Sequence, residues 1–343
     1  MSFNYLILIW FNKNRRNLPW RTHQDPYKIW LSEIILQQTR MAQGVDYYLR
    51  FTERFPRIQD LAAANESEVL KLWQGLGYYS RARNLHFTAR FIVENLNAQF
   101  PDNFKDLEKL KGIGPYTAAA IASIAFGEAV PAVDGNAYRV YARYFNIHLD
   151  IASSEAKKYF FELGKEVIDP LKPGDFNQAV MELGATICTP QNPKCSACPV
   201  HDSCEALAKN TVHLLPVKSK KLKIKERTFH FLEITDGEKF LIKKRTQKDV
   251  WQNLYNFPLL ETESLQSAME ELGLKLSWDK QYHEKHVLTH QRLKITFWRS
   301  VVEKNQLKTW AEKFEAKIIT PNELNKLALP RPMEKYFFEK NPV

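Results

Sequence analysis

All four cysteines of the 343-residue chain fall in one short run, Cys188, Cys195, Cys198 and Cys204 (CTPQNPKCSACPVHDSC), separated by six, two and five residues. Four thiolates this close can converge on one metal centre, whereas two disulfides in so short a loop would be a secreted-protein solution that nothing else in the chain supports. Zinc and an iron–sulfur cluster both suit such a ligand set. Two carboxylates are the next candidates. Glu33 lies in PYKIWLSEIILQQTR (26–40), with Ile29 and Trp30 one helical turn before it and Leu36 and Gln37 one turn after, on or beside the apolar stripe. Burial there raises a carboxyl pKa and makes a general acid available near neutral pH; the alternative is a boundary glutamate paired with Arg40 or a neighbouring helix. Asp134, in Val133-Asp134-Gly135, opens a helix, where aspartate is a preferred cap. Amide bonds at that position would keep its carboxylate ionised, as stabilising a cation requires. Two carboxylates in opposed environments suit reactions through an oxocarbenium-like state, as in glycoside hydrolysis.

A third feature points to what would be cleaved. Leu110-Lys111-Gly112-Ile113-Gly114-Pro115-Tyr116-Thr117 sits between two helical segments, and Gly112 and Gly114 allow a tight reversal. The helix beginning at Pro115 adds its positive end, so one DNA phosphate can be held without side-chain charge; the plain alternative is a helix–turn–helix junction. Lysine and arginine number 49 against 39 aspartate and glutamate, a net charge of +10, which permits a polyanionic partner. Removal of a nucleobase from deoxyribose is the nucleic-acid counterpart of glycoside hydrolysis, and it requires the base to be flipped from the stack. No apolar run approaches the roughly 18 residues that span a bilayer, and Tyr5 to Phe11 lacks signal-peptide flanks, so no membrane partner and a cytoplasmic location are expected.

The elements that must position these groups change character along the chain. From Tyr5 to about Lys209 one amphipathic helical segment follows another: 26–40, 66–76, 81–97, 115–126, 136–146, 154–168 and 175–188. Pro26 and Pro115 suit first helical turns, and Ser153 or Ser154 suits a cap. Val217 to Arg227 holds six basic residues and one acidic, read as the end of a solvated linker over 211–227. Beyond it Thr228 to Thr235 and Lys239 to Lys244 flank the turn Asp236-Gly237-Glu238, a hairpin signal, and a second strand-rich stretch (292–302) follows a short helix at 264–272. The expected fold is therefore multidomain: an all-α domain over 1–210 and an α+β domain over 228–343.

Taken in order, Leu18-Pro19-Trp20-Arg21, Ser32-Glu33-Ile34-Ile35-Leu36-Gln37-Gln38-Thr39, Gly75-Leu76-Gly77-Tyr78-Tyr79, the glycine hairpin, Val133-Asp134-Gly135-Asn136 and the cysteine loop resemble the adenine DNA glycosylase (MutY) family. The likeness spans about Leu18 to Cys204. It implies a helix-hairpin-helix glycosylase domain with one 4Fe-4S cluster on the four cysteines. It also implies a bacterial, nucleoid-associated monomer that excises adenine opposite 8-oxoguanine or guanine from double-stranded DNA. By that resemblance Glu33 protonates adenine at N7, Asp134 stabilises the oxocarbenium ion or forms an adduct with it, and Asn136 and Tyr116 position these groups. Lyases of the related endonuclease III type carry a lysine where Tyr116 stands, and tyrosine cannot form a Schiff base, so a monofunctional enzyme is expected. Gln38 and Tyr78 match residues that wedge into the duplex. Arg21, Thr39, Gly112 and Gly114 match further DNA contacts, although Arg21, Arg81 and Arg83 suit surface charges equally well.

The C-terminal third resembles the Nudix-like domain with which this family reads 8-oxoguanine. Glu270-Glu271-Leu272-Gly273-Leu274 looks like the tail of a Nudix box. Gln266, Ser267, Pro258 and Gln252 occupy the positions of its Arg, two Glu and first Gly, so recognition is expected and pyrophosphate hydrolysis is not. Leu288-Thr289-His290 matches the family's Phe-Ser-His lesion reader, with Thr289 keeping a hydroxyl and His290 the ring. Rival readings are a glycosylase for oxidised pyrimidines or mismatched thymine, and a non-catalytic DNA-binding redox sensor.

Overall fold

The computed structural model describes residues 2–219 and 224–340. Its contacts divide into two units, Met1–Ala63 with Asn84–Lys220, and Ala64–Arg83 with Lys221–Val343. The short segment 64–83 thus lies within the helical stretch of the sequence but clusters with the C-terminal residues.

The first unit is helical. Asp25 caps the Pro26–Leu36 helix by accepting from the Tyr27 amide, and Pro26 stands at its first turn, where no amide partner is lost. That helix ends at Leu36, short of the expected Arg40: Gln37 already leaves helical backbone (ψ 114°) and Gln38 is left-handed (φ +55°). It packs on Met41–Arg54 and on Pro115–Phe126, whose buried run Thr117 to Ser123 is mostly alanine and allows close approach. The Gly135–Tyr144, Ser154–Val167 and Pro173–Thr186 helices enclose a second core with Phe3–Asn14, built on Phe11, Tyr141, Phe160 and Phe176; Cys188, Cys198 and Cys204 pack against its edge. No described helix is long and apolar enough to cross a membrane.

In the second unit a seven-stranded sheet is formed among the described residues by β1 (Lys225–Thr235), β2 (Phe240–Lys244), β3 (Tyr255–Asn256), β4 (Leu259–Glu261), β5 (Asp279–Val287), β6 (Gln291–Val301) and β7 (Lys317–Ile319), with central order β3-β2-β1-β6-β5. β1 and β6 run parallel, from Lys225 opposite Gln291 to Thr235 opposite Val301, and the other pairings are antiparallel. The hairpin at Asp236-Gly237-Glu238 forms as expected, with Gly237 at φ +95° and the Asp236 carboxylate accepting from the amides of Glu238 and Lys239. A ladder of Phe231, Phe297 and Tyr336 fills the core, the last two stacked at 4.4 Å.

The charged stretch expected as a linker meets this sheet sooner than its composition suggested. Residues 220–223 of it lie outside the described residues, and Lys225 to Arg227 already belong to β1. Arg227 is buried because it is paired: it donates to both oxygens of Asp249 (2.8 and 2.7 Å) and of Glu261 (2.7 and 2.6 Å). Charge implies solvation only where no partner awaits it.

Candidate active site and cysteine loop

A cavity of about 580 Å³ in the first unit gathers Trp20, Arg21, Glu33, Gln38, Thr39, Tyr116, Asp134, Asn136 and Glu182 among its walls. Segments more than a hundred residues apart in sequence thus meet around one space. Glu33 reaches it from a helix whose neighbours Ile34 and Ile35 are buried. The Tyr116 hydroxyl donates to Glu33 Oε2 at 2.7 Å and stands 3.1 Å from the Met181 sulfur. Burial pushes the Glu33 carboxyl up to about 7; the Tyr116 bond draws it down, Asp134 pushes it up, and Arg21 draws it down. Glu33 therefore pairs with the Tyr116 hydroxyl rather than with a cation of its own helix.

Asp134 is the cap of the Gly135–Tyr144 helix. Its Oδ1 accepts from the amides of Asn136 (2.9 Å) and Ala137 (2.8 Å), and its Oδ2 from the Asn136 side chain (2.7 Å). The sequence led us to expect these donors to dominate. Burial is the larger influence and holds the carboxyl above the usual range, against the hydrogen bonds that draw it down. Three donors on Asp134 against one on Glu33 favour the ionised form at Asp134 more than at Glu33.

The walls contain groups the sequence reading passed over. Glu182 is buried and receives Arg16 (2.5 and 2.8 Å) and Arg21 (2.8 Å); Arg21 also donates to Gln178 and to the Arg16 carbonyl. Gln178, Met181, Glu182 and Ala185 recur at helical spacing along Pro173–Thr186, which was the available signal. A Cβ on Gly184 would lie 2.6 Å from the Asn136 Cβ, so only glycine lets this helix press against Asn136.

Arg139 and Arg143, one turn apart on the helix that Asp134 caps, tie the site to the cysteine loop. Arg139 donates to Asn136 Oδ1 (2.8 Å), the Gly184 carbonyl (2.7 Å) and the Cys188 carbonyl (2.6 Å). Arg143 donates to the carbonyls of Thr189 (2.7 Å), Val212 (3.1 Å) and Leu215 (3.0 Å), and its Nη1 stands 3.4 Å from the Cys188 sulfur. Cys188, Cys195, Cys198 and Cys204 line one space with Ile187, Pro193, Leu207 and Val212. All four cysteines line that one space, and a set of four thiol donors suits an iron–sulfur cluster.

The remaining expected contacts are not among the residues that line the cavity. Gly112 takes a left-handed backbone (φ +82°) in an exposed turn, where a Cβ would strike Asn84 at 2.7 Å. Gly114, at φ −90°, caps the Pro115–Phe126 helix in a conformation open to any residue. Tyr78, Thr289 and His290 are exposed residues of the second unit, and the hydroxyls of Tyr78 and Thr289 are hydrogen-bonded. Thr289 and His290 form the tip of the hairpin between β5 and β6, closed by the Leu288 amide donating to the Gln291 carbonyl.

Three family models match the chain: the HhH-GPD superfamily of base excision DNA repair proteins over residues 31–166, the iron–sulfur binding domain of endonuclease III over 188–204, and the NUDIX domain over 230–338. An adenine DNA glycosylase of Buchnera aphidicola (strain Sg) is 41% identical over 262 residues, 76% of this chain and 75% of that protein. The chain belongs to the adenine DNA glycosylase family. A second Buchnera member (strain Bp) is 34% identical over 86% of this chain and 85% of its own. The mouse member is 46% identical over 60% of this chain, which spans only 42% of that longer protein. Among solved structures, a thermostable thymine-DNA glycosylase matches with TM-score 0.56 and 33% identity over 60% of this chain and 95% of its own. Endonuclease III in a non-covalent complex with DNA matches with TM-score 0.52 and 22% identity over 60% of this chain and 94% of its own, which establishes the shared helical fold. The protein is thus a DNA glycosylase with an iron–sulfur loop and a C-terminal Nudix-like domain, as the sequence reading expected.

Proposed function

We propose that the protein excises adenine mispaired with 8-oxoguanine or guanine from double-stranded DNA by acid-assisted hydrolysis, leaving an abasic site. One observation carries the reading: a carboxyl held at about 7 by burial is bonded to a tyrosine hydroxyl, not a lysine amine, in the cavity that also holds the capped Asp134. The flipped adenine enters the cavity. Glu33 gives its proton to N7, the glycosidic electron pair withdraws into the purine, and the sugar is left as an oxocarbenium ion. The Asp134 carboxylate, held by its three donors, offsets that charge. Water then adds at C1′ and gives up its proton to Glu33. Tyr116 has no amine with which to attack the sugar, so no Schiff base forms and the backbone stays intact.

Around this chemistry Gln38 and Tyr78 enter the duplex. Both hold left-handed backbone (φ +55° and +47°), strain of the kind that persists where structure over-determines it. The Gly112–Gly114 turn and the start of the Pro115–Phe126 helix grip a phosphate, and Thr39 contacts the strand that carries the adenine, while Arg21, engaged by Glu182, Gln178 and the Arg16 carbonyl, braces the cavity wall. Thr289 and His290 read the 8-oxoguanine. The four cysteines hold a 4Fe-4S cluster, which fixes the loop that Arg139 and Arg143 engage. Every residue named comes from one chain, so the monomer suffices.

The test is excision from duplexes carrying adenine opposite 8-oxoguanine, adenine opposite guanine, thymine opposite guanine, and an oxidised pyrimidine. Strand breaks are expected only after alkali and only in the first two, without borohydride trapping. Release of thymine or of the pyrimidine with adenine left in place would overturn the reading.

A further inference from the structure

The loop that carries Tyr78 is built around a residue with no role so far. Residues 75–79 pass through three left-handed positions, Gly75 (φ +96°), Gly77 (+71°) and Tyr78 (+47°), and only the last carries a side chain that opposes the conformation. Tyr78 is nevertheless 42% exposed, so burial of its ring does not hold it there. The restraint comes from two neighbours. Trp73 Nε1 donates to the Gly77 carbonyl at 3.0 Å, and Arg81 Nη2 stands 3.3 Å from the same oxygen and 3.5 Å from the Leu76 carbonyl. The Arg81 guanidinium also lies 5.0 Å from the centroid of the Trp73 ring and 5.7 Å from that of Tyr78, within reach of cation–π attraction. Its amide closes the turn on the Tyr78 carbonyl at 2.9 Å. Burial lowers its pKa to about 10, which leaves it charged at neutral pH.

We propose that Arg81 is a positioning residue: its guanidinium fixes the backbone and ring of Tyr78 in the conformation that enters the duplex, so lesion affinity depends on an arginine that touches no DNA. This rests on the reading of Tyr78 as the inserted residue. It contrasts with the ordinary role of an arginine in a DNA-binding protein, a phosphate ligand. A phosphate ligand contributes to every duplex alike and to the salt dependence of binding; a positioning residue contributes only where the ring inserts and leaves the salt slope unchanged.

A double-mutant cycle on the full-length, cluster-loaded protein separates these. Dissociation constants are measured for Tyr78→Ala, Arg81→Ala and the double variant, on duplexes carrying an uncleavable adenine analogue opposite 8-oxoguanine and on undamaged duplex, at two salt concentrations. Because loss of a stacked ring weakens binding by about tenfold or more, each single variant is expected to lose at least that on the lesion duplex, with the double variant within about threefold of either. Single-turnover excision at saturating enzyme should stay within about threefold for Arg81→Ala, placing the loss in binding rather than in chemistry. Arg81→Lys, a point charge that cannot serve two carbonyls and two rings, should recover less than about threefold of the lost affinity. If Arg81→Ala unfolds, the same cycle is run with Arg81→Lys. Losses that multiply, or an equal loss on undamaged duplex with a shallower salt slope, would make Arg81 a phosphate ligand and end the proposal. An unchanged affinity for Tyr78→Ala would show instead that the inserted-residue reading itself had failed, and the proposal with it.

Discussion

Glu33 makes a prediction in which activity and stability move in opposite directions. Burial holds its carboxyl at about 7 against an ordinary 4.5. Only the protonated form can serve as the acid, so the rate constant should be roughly half-maximal at pH 7 and about a tenth of maximal at pH 8. For stability the folded state binds the proton more tightly than the unfolded chain. Stability therefore falls as pH rises from 4.5 through 7, and the full penalty is present above 7. A displacement of 7 − 4.5 = 2.5 units corresponds to about 3 kcal/mol. Glu33→Gln keeps the shape and removes the charge. It should abolish excision while raising Tm at pH 8 by roughly 5–10 °C, at a few degrees per kcal/mol for a unit of this size, with the gain vanishing below about pH 5. Tyr116→Phe removes the bond that draws the carboxyl down, so the alkaline limb of its rate profile should move to higher pH. Single-turnover excision and thermal melts from about pH 5 to about pH 9 give both readouts. A wild-type rate flat through pH 8, or a melting gain equal at both ends of the range, would refute the assignment of Glu33 as a buried acid.

Three further outcomes follow from named contacts. Gly184→Ala places a methyl 2.6 Å from the Asn136 Cβ and 3.0 Å from its backbone; it should displace the Asp134 donor and lower the single-turnover rate by about 10²-fold with lesion affinity retained, and an unchanged rate would show that Asn136 need not be held. Arg139→Met keeps the stem but strips donors from Asn136, Gly184 and Cys188, so it should destabilise the first unit by about 2–4 kcal/mol and speed loss of iron absorbance to a chelator, while intact iron retention would confine its role to Asn136. Tyr116→Lys puts an amine where Tyr116 now meets Glu33 and should make a borohydride-trapped DNA adduct detectable; no adduct would mean that position 116 does not reach the sugar.

Glu33 and Asp134 were legible because each sits where local rules speak, one on an apolar helical stripe and the other at a helix start. The cysteines were legible by spacing alone. Glu182, Arg139 and Arg143 were not, because a buried charge is intelligible only with its partner, and the distant partners here lie 161–166 residues away for Glu182 and 45–72 away, from Gly184 to Leu215, for the two arginines. The direction of the Asp134 shift was missed for a related reason. Its cap bonds are local and visible in sequence, whereas its burial is made by helices elsewhere in the chain. Strands β5 and β7 escaped because their alternation is polar on both faces or only three residues long.

The same contacts change what the net charge of +10 means. Arg16 and Arg21 are engaged by Glu182, Arg227 and Arg245 by Asp249, and Arg139 and Arg143 by loop carbonyls, so these six arginines hold the protein together. The residue type follows from the task. Arg139 serves four separate acceptors, the Gly135 carbonyl included, and Arg143 four carbonyls, that of Pro190 included, beside a thiol, which a planar fork of five donors can do and an ammonium with three cannot. Sequence-independent attraction to DNA is then left chiefly to exposed residues such as Lys111 and Lys194, whose contribution is a screened point charge. Exchanging lysine for arginine at those surface positions should leave binding nearly unchanged, whereas arginine to lysine at 139 or 143 removes donors from buried carbonyls and is not conservative.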